Sequence, residues 1–394
     1  MKWDSKTYTI TDKGNFGTIS LVIGIIGLAA SAGGYMADSE QLFFSYLTAF
    51  AFWFTLAAGG LFLTMLHHLT GATWSVVLRR VAESLMWVLP FMAIFFIPIL
   101  FGMHDLYHWT HHEAVAEDAL LKGKEPFLNM GFFITRLVIY FVVWTGLALI
   151  LAKLSRNQDS GHSEALRLKF VRTSAPGMIL FALTLTFAAF DWLMSLDPHW
   201  YSTIFGVYVF AGGICAMFSL LIVLLMGMRK QGVMDTVVTV EHYHDLGKLA
   251  FAFMIFWGYM AFSQYFLIWY GNIPEETIWF LHRWEGSWKV VTLTLVFGHF
   301  VVPFLIMITR GAKRRLGSLK LLAYWLLLMH LVDMHWLVMP TLHKHGVHIG
   351  WIDFAPVIGI GGIFFWIFWN RFASRPVVPV GDPRLDASIN FVNH

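Results

Sequence analysis

The sequence has only one cysteine, Cys215, in 394 residues. Iron–sulfur clusters, internal disulfides and CxxCH haem attachments all require more than one cysteine. This scarcity excludes all three within the chain itself. Cys215 lies inside a long apolar run, where a small buried packing residue is its expected role.

Charged residues are also scarce, at 13% of the chain, whereas hydrophobic residues reach 58%. Soluble domains carry roughly a quarter charged residues, so a soluble protein of this composition could not cover itself with polar surface. Lipid must therefore be the solvent for much of the chain, and the sequence predicts an all-α integral membrane protein. The formal charge of +3 gives no reason to expect a nucleic-acid partner.

An apolar run close to Met1 is missing as well, because the segment 1–15 is polar. A cleavable signal peptide would place its apolar region there, so we expect none. No connection between apolar runs is long enough for a separate soluble domain. We therefore predict a single polytopic domain over residues 1–394, with a transmembrane region at 16–372 and a C-terminal tail at 373–394 that lies along the surface.

Ten segments are long and apolar enough to span a membrane, which takes about 20 residues for roughly 30 Å of hydrocarbon. The longest connections between them are 102–127 and 155–175. The predicted spans are 16–35, 42–66, 81–101, 130–154, 176–196, 203–226, 249–270, 288–309, 319–338 and 351–372.

Lys and Arg are distributed unevenly between the two sides of these spans. Of the 27 basic residues, 21 lie in the two terminal segments, in alternate connections or at the adjoining span ends. Five lie on the other side, and Arg136 falls inside span 4. Basic residues in short loops favour the cytoplasmic side, so the distribution predicts that both termini are cytoplasmic.

Ionisable groups at membrane depth are costly and are therefore candidates for function. Arg136 in span 4 and Asp191 in span 5 lie at similar distances from the same side of the membrane. Adjacent antiparallel spans could bring them together as an ion pair. Two interpretations stay open at this point: a structural lock, or a pair that gates proton movement.

Span 9 carries a second polar group. His330 and Asp333 are three residues apart and share a helix face, whereas His335 points roughly 140° away from His330. Spans 7 and 8 offer partners, and the cluster predicts either proton transfer or a quinone-headgroup site. The proton-transfer candidates here are Asp333, His330 and His299, and the quinone-binding candidates are His335, Gln264 and Tyr259, with Ser263 beside them.

A third polar group lies near the predicted cytoplasmic face. It could admit protons from that side, although ordinary solvated helix ends would also account for it. Its proton-transfer candidates are His67 and Glu83, and its other members are His68, His242, His244 and Asp245.

Histidines also concentrate in the connection after span 3. His108 and His112 have the i, i+4 spacing of helical metal ligands, but neither an HExxH motif nor a further cysteine supports a metal site. Contact with a partner or with lipid headgroups is the favoured interpretation. Haem b between His299 and His330 is disfavoured by bulky neighbours. The remaining members of the loop group are His104, Asp105 and His111.

Two longer motifs carry a resemblance to a known family. They are FDWLMSLDPHWYSTIFGVYVF at 190–210 and SQYFLIWYGNIPEETIW at 263–279. Together with ten spans and cytoplasmic termini, they closely resemble the quinone-binding membrane subunits of alternative complex III. These subunits belong to the NrfD/PsrC-like polysulfide reductase membrane-subunit family.

The resemblance implies two four-helix bundles, spans 2–5 and 6–9, flanked by the first and last spans. It further implies a subunit, not catalytic alone, of a quinol-oxidising complex in the bacterial inner membrane that passes electrons to cytochrome c or a terminal oxidase. Menaquinone or another quinol is the implied ligand. The implied partners are a sister NrfD-like membrane subunit, an iron–sulfur subunit, multihaem cytochrome c subunits that hold haem c, small membrane subunits, a terminal cytochrome oxidase and lipids.

Two alternatives stay open. The chain could be a cofactor-free structural scaffold of such a complex. It could instead be a proton-coupled secondary transporter, for which prolines in spans 3 and 8 (Pro90, Pro98 and Pro303) give only weak support.

Overall fold

A computed structural model describes residues 2–4, 6–161 and 163–393. Within these residues, ten helical segments are long and apolar enough to cross a membrane, which confirms the predicted number of spans. In chain order, spans 1 to 10 are Phe16–Ala37, Ser39–Thr70, Val76–Phe101, Met130–Asp159, Glu164–Leu196, Phe205–Lys230, Val240–Gly271, Trp288–Met307, Leu316–Thr341 and Trp351–Phe372.

Several helices extend well beyond their apolar portion. Span 5 begins at Glu164 instead of residue 176, so the predicted connection 155–175 is largely helical. The Ser163 hydroxyl accepts a hydrogen bond from the Leu166 amide at 3.2 Å and caps this helix. Hydropathy detects only the part of a helix that meets lipid, and therefore misses the polar turns that continue into water.

Short elements fill the connections. The long connection after span 3 folds into successive short helical turns instead of an open loop. Its turns are Met103–Leu106, His108–Thr110, His112–Glu117 and Ala119–Lys124. The other short helices are Pro274–His282, Arg310–Arg314 and Leu385–Ile389, and strands Lys2–Asp4 and Thr9–Asp12 form an antiparallel hairpin.

The spans form two four-helix bundles. Spans 2–5 contact one another in a ring, and spans 6–9 form a second ring. Spans 2 and 6 join the bundles and are the most buried. A Cβ added to Gly213 would lie only 2.8 Å from Thr55 Cβ, so small residues allow this close contact. Spans 1 and 10 pair with each other and pack on spans 2 and 3.

Glycines allow spans 1 and 10 to touch along their backbones. A Cβ on Gly27 would lie 2.4 Å from the Gly359 nitrogen, and one on Gly362 would lie 2.3 Å from the Gly24 nitrogen. Close backbone approach of this kind lets membrane helices pack through van der Waals contact, which replaces the hydrophobic driving force that lipid removes.

Gly27→Val should therefore lower the unfolding free energy by about 1–3 kcal/mol, as expected for overpacking. Gly33→Val is the matched control, because a Cβ at Gly33 of the same helix meets no atom within 4 Å. Thermal unfolding of both variants in mild detergent measures the difference. Equal stability of the two variants would show that the helix contact is not this close.

The C-terminal tail does not lie along the surface, so that prediction is wrong. Val377 and Val378 are fully buried, and the Val377 amide donates a 2.8 Å hydrogen bond to the Tyr8 carbonyl. Because the chain crosses the membrane ten times, both termini lie on one side, here called the terminal side. The tail covers the terminal-side ends of both bundles.

Candidate functional site

The second bundle contains a buried carboxyl group that accepts hydrogen bonds from neutral donors. The Tyr208 hydroxyl of span 6 donates to Asp333 Oδ1, and the Trp257 indole Nε1 of span 7 donates to Oδ2 at 3.0 Å. Asp333 is fully buried. No ion pair involving Asp333 occurs among residues 2–4, 6–161 and 163–393.

Two histidines beside Asp333 have ring nitrogens without hydrogen-bond partners. His330 Nε2 lies 2.9 Å from the Thr55 hydroxyl of span 2, whereas His330 Nδ1 has no partner within the described chain. Both ring nitrogens of His299 lack one as well. The name central cluster is used below for Asp333, His330, His299, Tyr208, Trp257 and Thr55.

Gly212 leaves the space between these side chains open. A Cβ at Gly212 would lie 3.3 Å from His330 Nδ1 and 3.5 Å from Asp333 Oδ2. Buried polar groups without partners are rare and costly. Because Gly212 has no side chain, a small space remains there, and the polar atoms of His330 and Asp333 both border it.

His299 lies on a wider helical turn. Residues Leu295–Val301 of span 8 are π-helical, and the His299 ring stacks on Trp257 at 3.9 Å between centroids. Pro303 has no backbone N–H for the His299 carbonyl four residues earlier, which disfavours an ordinary α-helical turn here. Single π-turns of this kind occur frequently at functional sites.

The first bundle also contains a buried carboxylate, that of Asp191, but this one is paired with a cation. Arg136 Nε and Nη2 donate to the two oxygens of Asp191, each at 2.8 Å, and the Tyr140 hydroxyl donates to Oδ2 at 2.7 Å. Arg136 Nη1 also donates to the Phe127 carbonyl at 2.9 Å. The predicted ion pair is therefore confirmed. Its carboxylate is fully compensated, unlike that of Asp333.

Glu83 belongs to a second network of buried charges on the terminal side. Arg79 Nε lies 3.0 Å from Glu83 Oε1, and Arg80 Nη1 lies 3.1 Å from Oε2. The tail residue Asp382 accepts from Arg79 Nη1 at 2.8 Å. The name terminal-side network is used below for Arg79, Arg80, Glu83, Asp159, Asp382 and Arg384.

The histidines of the terminal side are held by the tail. His67 Nδ1 lies 2.8 Å from the Ser75 hydroxyl, and its Nε2 lies 3.4 Å from Arg384. His242 Nε2 lies 3.0 Å from the Ser388 carbonyl. Asn393 of the tail also contacts His244 and Asp245, whereas His68 is the exception and stacks on Phe170 of span 5. The predicted proton entrance is thus covered by residues 382–393.

The three quinone-binding candidates do not converge. Gln264 accepts a 2.9 Å hydrogen bond from Ser202, and Tyr259 is 61% exposed on the outer face of span 7. The His335 ring lies 5.8 Å from Trp288, and its Nε2 has no partner within the described chain. These residues therefore do not form one headgroup site, and no quinone step is assigned to them.

The structure contains a further polar site that was not predicted from the sequence. Asp353 at the start of span 10 accepts hydrogen bonds from Gln41 at 2.8 Å and Ser45 at 2.7 Å, and His343 Nε2 lies 2.6 Å from the Gln41 amide oxygen. Burial lowers the pKa of His343. Only Asp353 and its position near a predicted span end could have suggested this site, because its partners are more than 300 residues away in sequence.

His108 and His112, whose spacing is that of helical metal ligands, do not lie on one helix. His108 lies in a short 3₁₀ turn, and His112 starts the next helix. Instead, His104 and His111 stack at 3.8 Å between ring centroids.

No family model and no curated protein matched the chain in comparisons with known proteins. The two long motifs nevertheless meet in the fold. Trp200 of the first motif stacks on Trp279 of the second at 4.2 Å, and Ser202 bonds to Gln264. Tyr208, also in the first motif, contacts Asp333. The two motifs therefore contact each other, and the first contributes Tyr208 to the central cluster.

Proposed function

We propose that this chain is a membrane subunit of a quinol-oxidising electron-transfer complex and that its central cluster transfers protons. The observation that carries the proposal is Asp333, a fully buried carboxyl group hydrogen-bonded only to neutral donors. The resemblance of the motifs at 190–210 and 263–279 to membrane subunits of such complexes supports the assignment to that class.

Within the part of the chain that the structure describes, no cation pairs with Asp333. Arg283, in the connection between spans 7 and 8, donates to the carbonyls of Trp336 and Leu337 near the end of span 9 instead. An unpaired charge inside a membrane is costly. A carboxyl group in this environment can take up and release a proton, and the Tyr208 hydroxyl and the His330 imidazole are suitable neighbours for the exchange.

Electron transfer in such a complex would occur on other chains. A single cysteine cannot bind an iron–sulfur cluster here, so iron–sulfur and haem c groups belong to the proposed partner subunits. The proposed location is the bacterial inner membrane, with the terminal side facing the cytoplasm because 21 of the 27 basic residues lie there.

Asp333→Asn should lower quinol turnover of the assembled complex by about a hundredfold, within the range for loss of a proton-transferring side chain. Trp257 can still donate to the amide oxygen and the Tyr208 hydroxyl can accept from the amide nitrogen, so we expect assembly to persist. Turnover is measured in proteoliposomes containing a pH-sensitive dye. Infrared spectroscopy of the chain alone should show a carboxyl band that exchanges with deuterium and disappears in this variant.

Cys215→Ala is the control, because Cys215 is buried in the same bundle but has no contact with the central cluster. Full turnover in Asp333→Asn would remove the proposed role. So would a matching loss of assembly and turnover, which would mark Asp333 as a packing residue.

A scaffold is the second candidate function, favoured by the Arg136–Asp191 pair. That pair joins spans 4 and 5 through two 2.8 Å hydrogen bonds, and the arginine compensates the charge of the carboxylate. The first bundle would then hold the complex together while the second transfers protons.

A further inference from the structure

Three of the arginines that have no ion pair within residues 2–4, 6–161 and 163–393 lie near one another on the terminal side. They are Arg156 at the end of span 4, Arg371 at the end of span 10 and Arg375 in the tail. Arg371 lies within electrostatic range of both Arg156 and Arg375. Three like charges gathered at one place repel one another unless an anion joins them.

The neighbouring acids are already used by other arginines. Glu83 pairs with Arg79 and Arg80, and Asp159 pairs with Arg80. Asp382 pairs with Arg79 and Arg384. Three acids thus compensate three arginines, which leaves the charges of Arg156, Arg371 and Arg375 uncompensated.

Two of these arginines, Arg371 and Arg375, are partly buried instead of moving freely in water. The Arg371 guanidinium stacks on the Trp87 ring at 3.8 Å, and its Nη2 is buried without a hydrogen-bond partner in the described chain. Burial, reinforced by the charge of Arg80, lowers the pKa of Arg375. The donor atom Nη2 is therefore oriented and lacks an acceptor.

An apolar cleft lies on the lipid-facing side of spans 3 and 4, close to these arginines. Its volume is about 510 Å³. Span 3 contributes Ala93, Phe96 and Leu100, and span 4 contributes residues from Leu137 to Leu149. At 1.5 Å per residue, the cleft runs for about 18 Å along span 4, a length suited to an extended hydrocarbon chain.

The cleft leads to the arginines along one helix face. Arg156 follows Leu149 by seven residues, two helical turns, and so lies on the same face about 10 Å nearer the terminal side. Trp87, which supports Arg371, precedes the cleft residue Ala93 on span 3. Basic pockets beside membrane helices bind anionic lipid headgroups.

We propose that spans 3, 4 and 10 form a binding site for one anionic phospholipid. Its phosphate contacts Arg156, Arg371 and Arg375, and one acyl chain occupies the cleft. The uncompensated positive charge selects an anionic headgroup, and the cleft selects a lipid over a free anion. This inference does not depend on the proposed proton transfer.

The test uses the full chain in phosphatidylcholine nanodiscs that contain a minor fraction of phosphatidylglycerol, with retained lipid identified by native mass spectrometry. Arg156→Gln, Arg371→Gln and Arg375→Gln should each weaken phosphatidylglycerol retention about fivefold, and together by about a hundredfold. The triple variant Lys169→Gln, Arg172→Gln, Lys230→Gln is the charge-matched control, because these exposed residues lie on the same side. It should retain the lipid.

Gly146→Phe tests the cleft without changing any charge. A Cβ at Gly146 meets no atom within 4 Å, so the ring can enter the cleft and should cause loss of phosphatidylglycerol. Gly227→Phe, at another glycine with open space, is the control. Equal losses in the two triple variants would overturn the proposal. The proposal would also be overturned if inorganic phosphate competed with phosphatidylglycerol while Gly146→Phe retained the lipid normally. Those two results together would indicate a site for a free anion.

Discussion

Asp191→Asn should lower the unfolding free energy by about 3–5 kcal/mol, the usual cost of leaving one partner of a buried ion pair uncompensated. The variant leaves the Arg136 guanidinium without its carboxylate partner. This guanidinium is enclosed by the Phe127 and Phe132 rings, at 3.9 and 4.3 Å, so water cannot readily replace the lost carboxylate. The Phe127 carbonyl would remain as its acceptor.

Replacing the whole site should recover most of that loss. The combination Arg136→Met, Asp191→Leu and Tyr140→Phe removes both charges and the hydroxyl that donates to Asp191. Well-packed apolar residues in place of a buried ion pair are often neutral or stabilising, and lipid favours them further. Chemical unfolding of the variants in mild detergent measures both effects.

Arg167→Gln provides the control for the Asp191 variant. Arg167 pairs with Glu164 at 2.5 Å, but both side chains are more than half exposed, so the change should cost less than about 1 kcal/mol. A comparably small effect of Asp191→Asn would contradict a buried structural lock. Stable assembly with lost turnover would instead favour the proton-gating interpretation.

The two bundles thus use a buried aspartate in different ways. Asp191 has an arginine that fixes its charge, whereas Asp333 has only the Tyr208 hydroxyl and the Trp257 indole. A fixed charge stabilises a helix pair, and an unpaired carboxyl group can change its protonation. The contrast is the physical reason for placing proton transfer in the second bundle and structural support in the first.

The sequence was sufficient for those features that depend on composition along one helix. Hydropathy predicts the number of spans. The Arg136–Asp191 pair is predictable because two opposite charges at one depth on adjacent spans have few other possible partners. Span ends were less accurate, as with Glu164, since polar helical turns outside the lipid resemble loops in hydropathy.

The partners of Asp333 could not be predicted because they depend on helix rotation. Span 7 has aromatic residues on every face, so its pattern does not show which one points inward. Tyr259 looked suitable but faces outward at 61% exposure, whereas Trp257 points inward and contacts Asp333. Tyr208 is 125 residues from Asp333 in the sequence, so their hydrogen bond can be recognised only from the packed helices.

The tail was misjudged for a related reason. A polar, Pro-rich segment near the end of a chain is typical of surface structure, and Arg79 and Arg80 resembled ordinary loop charges of the cytoplasmic side. Both are buried, and Arg79 pairs with Asp382, which is more than 300 residues away. No local sequence pattern predicts the pairing of Arg79 with Asp382.

Asp382→Asn should lower the unfolding free energy by about 3 kcal/mol, the lower end of the range for a broken buried ion pair. Asp382 is buried and accepts from Arg79 at 2.8 Å and from Arg384 at 3.0 Å. Arg79 keeps contacts with Glu83 and Gln158, so its charge is only partly uncompensated.

The same residue makes stability depend on pH. Burial alone would raise the pKa of Asp382, but hydrogen bonds from Arg384 and the charge of Arg79 outweigh burial and hold it well below its usual range. A depressed folded-state pKa stabilises the protein fully above the unfolded-state value of about 3.9. This stabilisation is lost as pH falls below that value, so the acid unfolding profile of Asp382→Asn should be flatter than that of the parent chain.

Asp386→Asn separates the effect of the buried pair from a general loss of tail charge. Asp386 lies in the same tail segment, but its side chain is exposed, so neither stability nor the acid profile should change by more than about 0.5 kcal/mol. Limited trypsin digestion gives an independent readout, because loss of the Asp382 pair should expose the bond between Arg384 and Leu385 to cleavage. Unchanged digestion and unchanged acid unfolding in Asp382→Asn would show that the buried valines, Val377 and Val378, hold the tail without the charges.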